Sequence, residues 1–445
     1  MHGTISRDGG EDPVHGDGSA SVSERVAASA LPIVAVAYGP RCTPVMDIVE
    51  AATGICDLLW LVDLGLPEMA EMEALLRRFG VVVDVSGRDA GAIGRACAPH
   101  SPRGIVTYLD AGMVALANLA DQLGLPFHRP DTAAALVDKA LQREVLGGAG
   151  VEVPACVVVP SGPARSALAE VPEALVWPAI LKPRSAQGSR HTFLAHDLDH
   201  AWALLGALGD AREVMVLEEY LAGDPSRSSL PFADYLSVES IVSNGAVSHL
   251  ALTGRFPLAE NFRETGFFIP AAVDAGEQEQ ILELVTAAIA ALGVTDGCLH
   301  TEVKFTSDGP RVIEVNGRLG GGVHEMLARA AGLSILELTL RVALGQEVRV
   351  DGPVLTRRTG FRLFLQPPAV SAVIRDIVGI DAITELPGVD AVSIHQPPGA
   401  GLDWRDGSRN HVLAVVGSAR DHAELLEVER LLRERVTVTY AEIAG

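Results

Sequence analysis

Residues 300–322, HTEVKFTSDGPRVIEVNGRLGGG, restrict the fold more than any other stretch of the chain. They read as two strands, 298–305 and 311–316, with Ser307-Asp308-Gly309 as the turn between them. Side chains two apart in a strand share a face. Glu314 and Asn316 therefore point the same way on the second arm, and Glu302 on the first arm can sit across from them. Their neighbours Val303, Phe305, Val312, Ile313 and Val315 are apolar, and a carboxylate buried there without a partner is costly. Two carboxylates and an amide oxygen on one face are hard oxygen ligands that suit Mg²⁺. The alternative is a pair of solvated strand glutamates, which either residue taken alone would more often be. Arg318 leaves the hairpin two residues later. Gly320, Gly321 and Gly322 then open a helix whose N-terminus favours an anion.

Upstream lie two lysines. Lys139 sits on the stretch 130–150, which reads as one amphipathic helix stopped by glycines. Lys182 ends a strand at 179–183 and opens the loop PRSAQGSRHT, which can offer backbone N–H groups and the Ser185 or Ser189 hydroxyl to a phosphate. The loop is not of the GxxxxGK[ST] kind, and a lone lysine at a strand end is also well read as solvated. An apolar run at 214–221 ends in Glu218-Glu219-Tyr220-Leu221. Those carboxylates can accept from an adenine amino group, or they can be an ordinary strand edge.

The chain before residue 130 alternates apolar runs at 31–37, 58–63, 81–85 and 104–108 with helical stretches at 46–53, 67–79 and 113–123. That alternation predicts a parallel sheet with crossovers. With 445 residues the chain needs several cores. The net charge of −22 argues against a nucleic-acid backbone or an anionic membrane as the main partner. Five scattered cysteines without CxxC spacing suggest neither a disulfide framework nor a zinc site, and make a reducing cytoplasm the expected location. No apolar run reaches the roughly 18 residues a membrane span needs. Residues 1–30, rich in Gly, Ser, Asp and Glu, are expected to be a disordered leader.

Taken in order, a lysine on a helix, a Lys-Pro before a polar loop, an EEYL strand end and an E…EVNxR hairpin resemble the ATP-grasp superfamily. The segment RVIEVNGRLGGG and the stretch 104–150 especially resemble the bacterial L-amino acid ligases, which are dipeptide synthetases, and their carnosine-synthase-like relatives. The resemblance covers about 31–345 and extends to the C-terminal hundred residues in outline only. It implies a mixed α/β and α+β fold in three parts: a parallel α/β domain over 31–138, a two-lobed ATP-grasp core over 139–344 with its lid lobe at about 155–221, and a small α+β domain over 345–445. It implies an ATP-dependent ligase that joins a carboxylate to an amine through an acyl phosphate, with ATP between the two lobes.

Carried onto this sequence, the resemblance gives phosphate contacts to Lys139, Lys182, Ser185, Gly188 and Ser189, and adenine contacts to Glu218, Glu219 and Leu221. One or two Mg²⁺ ions, with Mn²⁺ as a substitute, would fall to Glu302, Glu314 and Asn316. Arg318 would stabilise the acyl phosphate, and Glu264 would face the substrate amine. Asp110, Phe267 and Gly321 complete the implied substrate pocket. The stretch Glu264-Thr265-Gly266-Phe267 resembles the family's E-x-G-H pattern with phenylalanine in place of histidine. Asp110 stands where relatives often have glutamate. The segment 223–235 is longer than the family's and reads as a surface loop placed to cover the site. Small-molecule acids and amines are the implied partners, and a homodimer is compatible with the family. A degenerate nucleotide-binding module without turnover is the competing reading.

Overall fold

The apolar runs at the start of the chain become parallel strands because each is short, buried and returned by a helix. β1 (Ile33–Tyr38), β2 (Asp57–Val62), β3 (Gly80–Asp84) and β4 (Gly104–Thr107) pair in the order β3-β2-β1-β4. Val36 stands between Trp60 and Val106. Helices α1 (Val45–Ala52), α2 (Pro67–Phe79), α3 (Ala90–Cys97) and α4 (Met113–Leu123) alternate with them. In β2, Leu58 to Val62 are all buried, so the strand reads as a continuous apolar run and not as an alternation. The computed structural model describes residues 30–162, 175–209 and 212–442, and the expected leader lies outside them apart from Ala30.

The stretch 130–150 departs from the single helix expected of it. It forms α5 (Pro130–Val137) and α6 (Lys139–Gly148). Asp138 separates them with φ −120° and ψ 106°. Its carboxylate accepts the Leu141 N–H at 3.1 Å and the Arg184 Nε–H at 2.7 Å. A short acidic side chain inside a helical pattern competes as a cap, and here the cap wins because Arg184 from another lobe also claims it. The break makes Lys139 the first residue of α6.

The lid lobe is an antiparallel sheet of β5 (Cys156–Val159), β6 (Ala179–Pro183), β7 (Phe193–Ala195) and β8 (Met215–Glu219), ordered β5-β8-β6-β7. Ala201 and Leu205 of α7 (Leu198–Leu208) pack on its Leu181 and Leu217.

The largest sheet begins with β9 (Tyr235–Ser243), β10 (Ala246–Arg255), β11 (Gly266–Ile269), β12 (Gly297–Thr306) and β13 (Gly309–Asn316). Both of its faces are covered, and every residue of β9 is buried. Val238 and Val242 face α8 (Ala275–Ala291), while Ile241 faces α9 (Val323–Ala331) and α10 (Ile335–Ala343). β14 (Thr359–Leu365) then pairs with β11 and removes an open sheet edge. With β16 (Val389–Ile394) and β18 (Leu413–Ala419) it completes eight strands in the order β13-β12-β9-β10-β11-β14-β18-β16. The sheet is thus continuous across the expected boundary at 344. β15 (Ala372–Val378), β17 (Gly401–Leu402) and β19 (Thr437–Glu442) form a separate small sheet, accompanied by α11 (Ile380–Thr384) and α12 (His422–Arg435).

Of the segment 223–235 only Tyr235 lines the cavity, and the rest does not cover it. It docks beside α8 instead: Arg227 pairs with Glu277, its guanidinium lies 3.8 Å from the centre of the Phe305 ring, and the Asp224 N–H donates to the Phe305 carbonyl at 3.0 Å. Among the described residues no helix is long and apolar enough to cross a membrane.

Candidate active site

A cavity of about 1360 Å³ opens between the lid lobe, the large sheet and the loop that follows β1. One end of it is built from ion pairs. Lys182 reaches Glu218 at 2.6 Å and Arg143 reaches the same carboxylate at 3.2 Å. Burial alone would raise the Glu218 carboxyl, but Arg143 and Lys182 hold it down to about 2. Glu218 therefore holds two cations in this structure. Glu219, on the opposite face of β8, accepts from the Ala155 N–H at 3.1 Å and pairs with Arg311 at 3.3 Å. Tyr220 and Leu221 line the cavity opposite Ile313. Lys139 bridges two elements: its Nζ donates to the Ala186 carbonyl at 2.7 Å and lies 3.0 Å from Glu314. Gln142, one turn behind, bonds the edge of β13 through the Val315 N–H and carbonyl at 2.8 and 2.9 Å.

The hairpin has the register that its period of two requires. Glu302 stands opposite Glu314, and His300 opposite Asn316. Glu302 and Glu314 line the cavity. Asn316 is buried behind them, receiving Arg318 on its Oδ1 at 3.3 Å and donating to the His300 carbonyl at 3.2 Å. Arg318 also pairs with Asp110 at 3.0 Å and bonds the Gln187 side chain at 3.2 Å. Gly188 and Ser189 line the cavity with Gly321, whereas Ser185 is not part of the wall.

Residues 175–326 match the family of ATP-grasp domains. The chain carries an ATP-grasp domain. It is 24% identical over 248 residues to the L-arginine-specific L-amino acid ligase of Bacillus subtilis, covering 53% of this chain and 56% of that protein. It is 26% identical over 241 residues to dapdiamide A synthase of Enterobacter agglomerans, covering 50% of this chain and 53% of that one. The chain thus spans just over half the length of each of these curated relatives. The fold resembles the crystal structure of an L-amino acid ligase from Bacillus licheniformis, with a TM-score of 0.74 at 19% identity over 93% of this chain and 99% of that one.

Beyond the hairpin the same cavity continues past Arg255, Glu264 and Phe267. Arg255, at the end of β10, is 2% exposed. It stacks on Phe267 with its guanidinium carbon 4.3 Å from the ring centre and lies 3.6 Å from Glu264. Its Nη2 donates to the Ser237 hydroxyl at 2.9 Å, while Nε and Nη1 make no hydrogen bond. Burial pushes the Glu264 carboxyl up, with Arg255 working against it. His300 lies between Glu239, at 2.9 Å, and Glu302, at 3.6 Å. Burial alone would lower its imidazole, but Glu239 raises it to about 9. Burial would likewise raise the Glu302 carboxyl, but the His300 proton holds it down to about 2.

The far wall comes from the C-terminal strands, which no motif marked. His411 donates from Nδ1 to the Ser408 carbonyl at 3.0 Å, leaving a buried Nε2 without a partner. Phe364 packs on it, ring centres 4.6 Å apart. Sequence reasoning also missed Arg143, although it follows Lys139 by one helical turn on the same face. Arg255 carried no signal, being the last residue of an ordinary apolar strand.

The donor chemistry of the hairpin fits a hard divalent cation. Two carboxylates face each other across one wall, and both are already balanced by positive charge, from His300 on Glu302 and from Lys139 on Glu314. A second group, Asp47, His324 and Glu325, brings its ligand atoms within 4.8 Å of one another. There Arg362 pairs with Glu325 at 3.3 Å and supplies the positive charge itself.

Proposed function

We propose that this chain is an ATP-dependent carboxylate–amine ligase. It would activate an acid as its acyl phosphate, pass the acyl group to an amine, and release ADP and phosphate. An amino acid or an analogue of one would be among its substrates. The observation that carries this reading is the convergence on one cavity wall of Lys139, Lys182, Glu302, Glu314 and Arg318, contributed by α6, the lid lobe and the hairpin.

In this reading Lys139 and Lys182 bind the phosphates, with the 184–192 loop over them. Tyr220 and Leu221 hold the adenine through backbone and apolar contact. Glu302, Glu314 and Asn316 would hold one or two Mg²⁺ ions, or Mn²⁺ in their place, and the metal would supply neutralisation of phosphate charge. The substrate carboxylate is positioned by Arg318, whose guanidinium is preorganised by Asp110 and Gln187. Such a fixed donor stabilises charge as it develops in the transition state. Glu264, raised by burial, is suited to take the proton that the amine must lose as it attacks. A closed lid lobe keeps water from the acyl phosphate.

Phosphate release from Mg-ATP, measured against a matrix of paired amino acids and small acids with mass spectrometry of positive wells, tests the proposal. A product one water lighter than its pair is the expected result. A protein that binds Mg-ATP yet releases no phosphate with any pair would point to a substrate outside the matrix, and one that binds no nucleotide would overturn the reading and favour the non-catalytic module.

A further inference from the structure

The C-terminal segment Trp404–Asn410 reaches back to the phosphate loop of the lid lobe. The Ser408 N–H donates to the Gly188 carbonyl, and the His191 N–H to the Arg405 carbonyl, both at 2.9 Å. Phe193 meets Trp404 edge to face at 5.9 Å. Gly407 makes the approach possible: it sits at φ 75° and ψ −152°, and a Cβ there would lie 2.1 Å from the Gly188 carbonyl oxygen. Only glycine fits both conditions. The same segment holds the substrate-facing side. Ser408 Oγ accepts the Glu264 N–H at 2.9 Å, and the Gln366 amide donates to the Glu264 and Ser408 carbonyls at 2.7 and 3.0 Å.

This segment carries Arg409 into the cavity. The Arg409 side chain lies 3.3 Å from where a Cβ on Gly188 would stand, and it lines the same wall as Arg318 and Arg41. Neither Arg409 nor Arg41 forms a hydrogen bond or ion pair with a described residue. Burial, and then repulsion from Arg41 and Arg318, holds the Arg409 guanidinium below its usual value, and Asp110 offsets this only in part. Asp110 is itself taken by Arg318 at 3.0 Å. Arg409 and Arg41 thus stand beside Arg318 with no carboxylate of their own, and like charges repel, so the two are matched to an anion from outside the chain. The loop that Arg409 touches is the one read above as closing over the phosphates.

We propose that Arg409, delivered by the Trp404–Asn410 segment, binds the terminal phosphoryl group of the nucleotide. A guanidinium offers phosphate oxygens paired, charge-assisted hydrogen bonds. The C-terminal region thereby completes the phosphate site and ties lid closure to the placement of Glu264. The assignment rests on the nucleotide reading above.

Calorimetric titration of the full chain with Mg-ADP and with the non-hydrolysable ATP analogue AMPPNP separates the two. Arg409 is an exposed residue whose guanidinium end is partly withdrawn from water, so Arg409→Ala should melt close to wild type. It should weaken AMPPNP about tenfold or more while leaving ADP within about twofold. Arg409→Lys should recover part of the loss. Gly407→Ala should reproduce it with Arg409 intact, because the segment can no longer dock. A wild type that binds both nucleotides, with Arg409→Ala unchanged or equally weakened for both, overturns the assignment alone. AMPPNP binding by Gly407→Ala at wild-type strength overturns the delivery by this segment. A wild type that binds neither nucleotide overturns the ligase reading and this assignment with it.

Discussion

The two ends of the cavity handle charge in opposite ways. At the nucleotide end the cations from α6 and the lid sheet already have carboxylates: Lys139 has Glu314 at 3.0 Å, Lys182 and Arg143 share Glu218 at 2.6 and 3.2 Å. At the substrate end Arg255 stands 3.6 Å from Glu264 with two of its nitrogens unbonded, and the His411 Nε2 is buried without a donor. A buried polar atom left without a partner costs stability. Such atoms along a cavity wall mark where a ligand's own polar groups belong, and Arg143 Nε is one at the nucleotide end too. Apart from Arg409 and Arg41, the nucleotide end is arranged so that phosphate and metal exchange with internal pairs, while the substrate end waits for groups the chain does not supply.

If that contrast holds, substitutions at the nucleotide end should lower turnover alike for every substrate pair. Glu314→Ala should do most, reducing phosphate release by about three orders of magnitude or more while the melting temperature stays near wild type. Near-normal activity would remove Glu314 from the metal set. Arg318→Ala should lower kcat and kcat/KM together by about a hundredfold; a change confined to KM would make Arg318 a uniform binder. Arg255→Met should raise the acceptor KM about tenfold with the ATP KM unchanged, and an equal effect on ATP would erase the distinction between the ends. Phe267→His removes the surface on which Arg255 stacks and should alter the ranking of acceptors by only a few-fold, read as kcat/KM across a panel.

The smallest effect concerns stability. Burial holds His411 and His249 down to about 4, below the ordinary imidazole value of about 6.5. The unfolded chain therefore takes up protons that the folded chain refuses. The contribution of these two imidazoles is complete above about pH 6.5 and declines as pH falls from there towards about 4. The melting temperature followed across that interval should drop, and His411→Gln should flatten part of the slope.

Much of the nucleotide end was legible in the sequence. The opposition of Glu302 and Glu314 follows from a period of two and a short turn, and Lys182 from its place at a strand end beside a polar loop. The division of 130–150 was not legible, because Asp138 caps a helix only when Arg184 from the lid lobe shares its carboxylate. The reach of segment 223–235 was misread for a similar reason: nothing local marks Arg227 as a partner of Glu277. Asn316 faces as its strand position requires, but whether it lines a wall depends on Arg318 standing in front of it.

Local periodicity acts over a few residues, and over that range the chain determined its strands, its helices, the hairpin register and the carboxylate pair. Partnership acts through space. Arg255 meets Glu264 through the pairing of β10 with β11, and it meets His300 because β9 lies between β10 and β12. Arg409 arrives at Gly188 from more than two hundred residues away along the chain. Which charges are paired, which are left for a ligand, and which C-terminal residues close the cavity were decided only by tertiary packing, since each rests on contacts that no sequence spacing encodes.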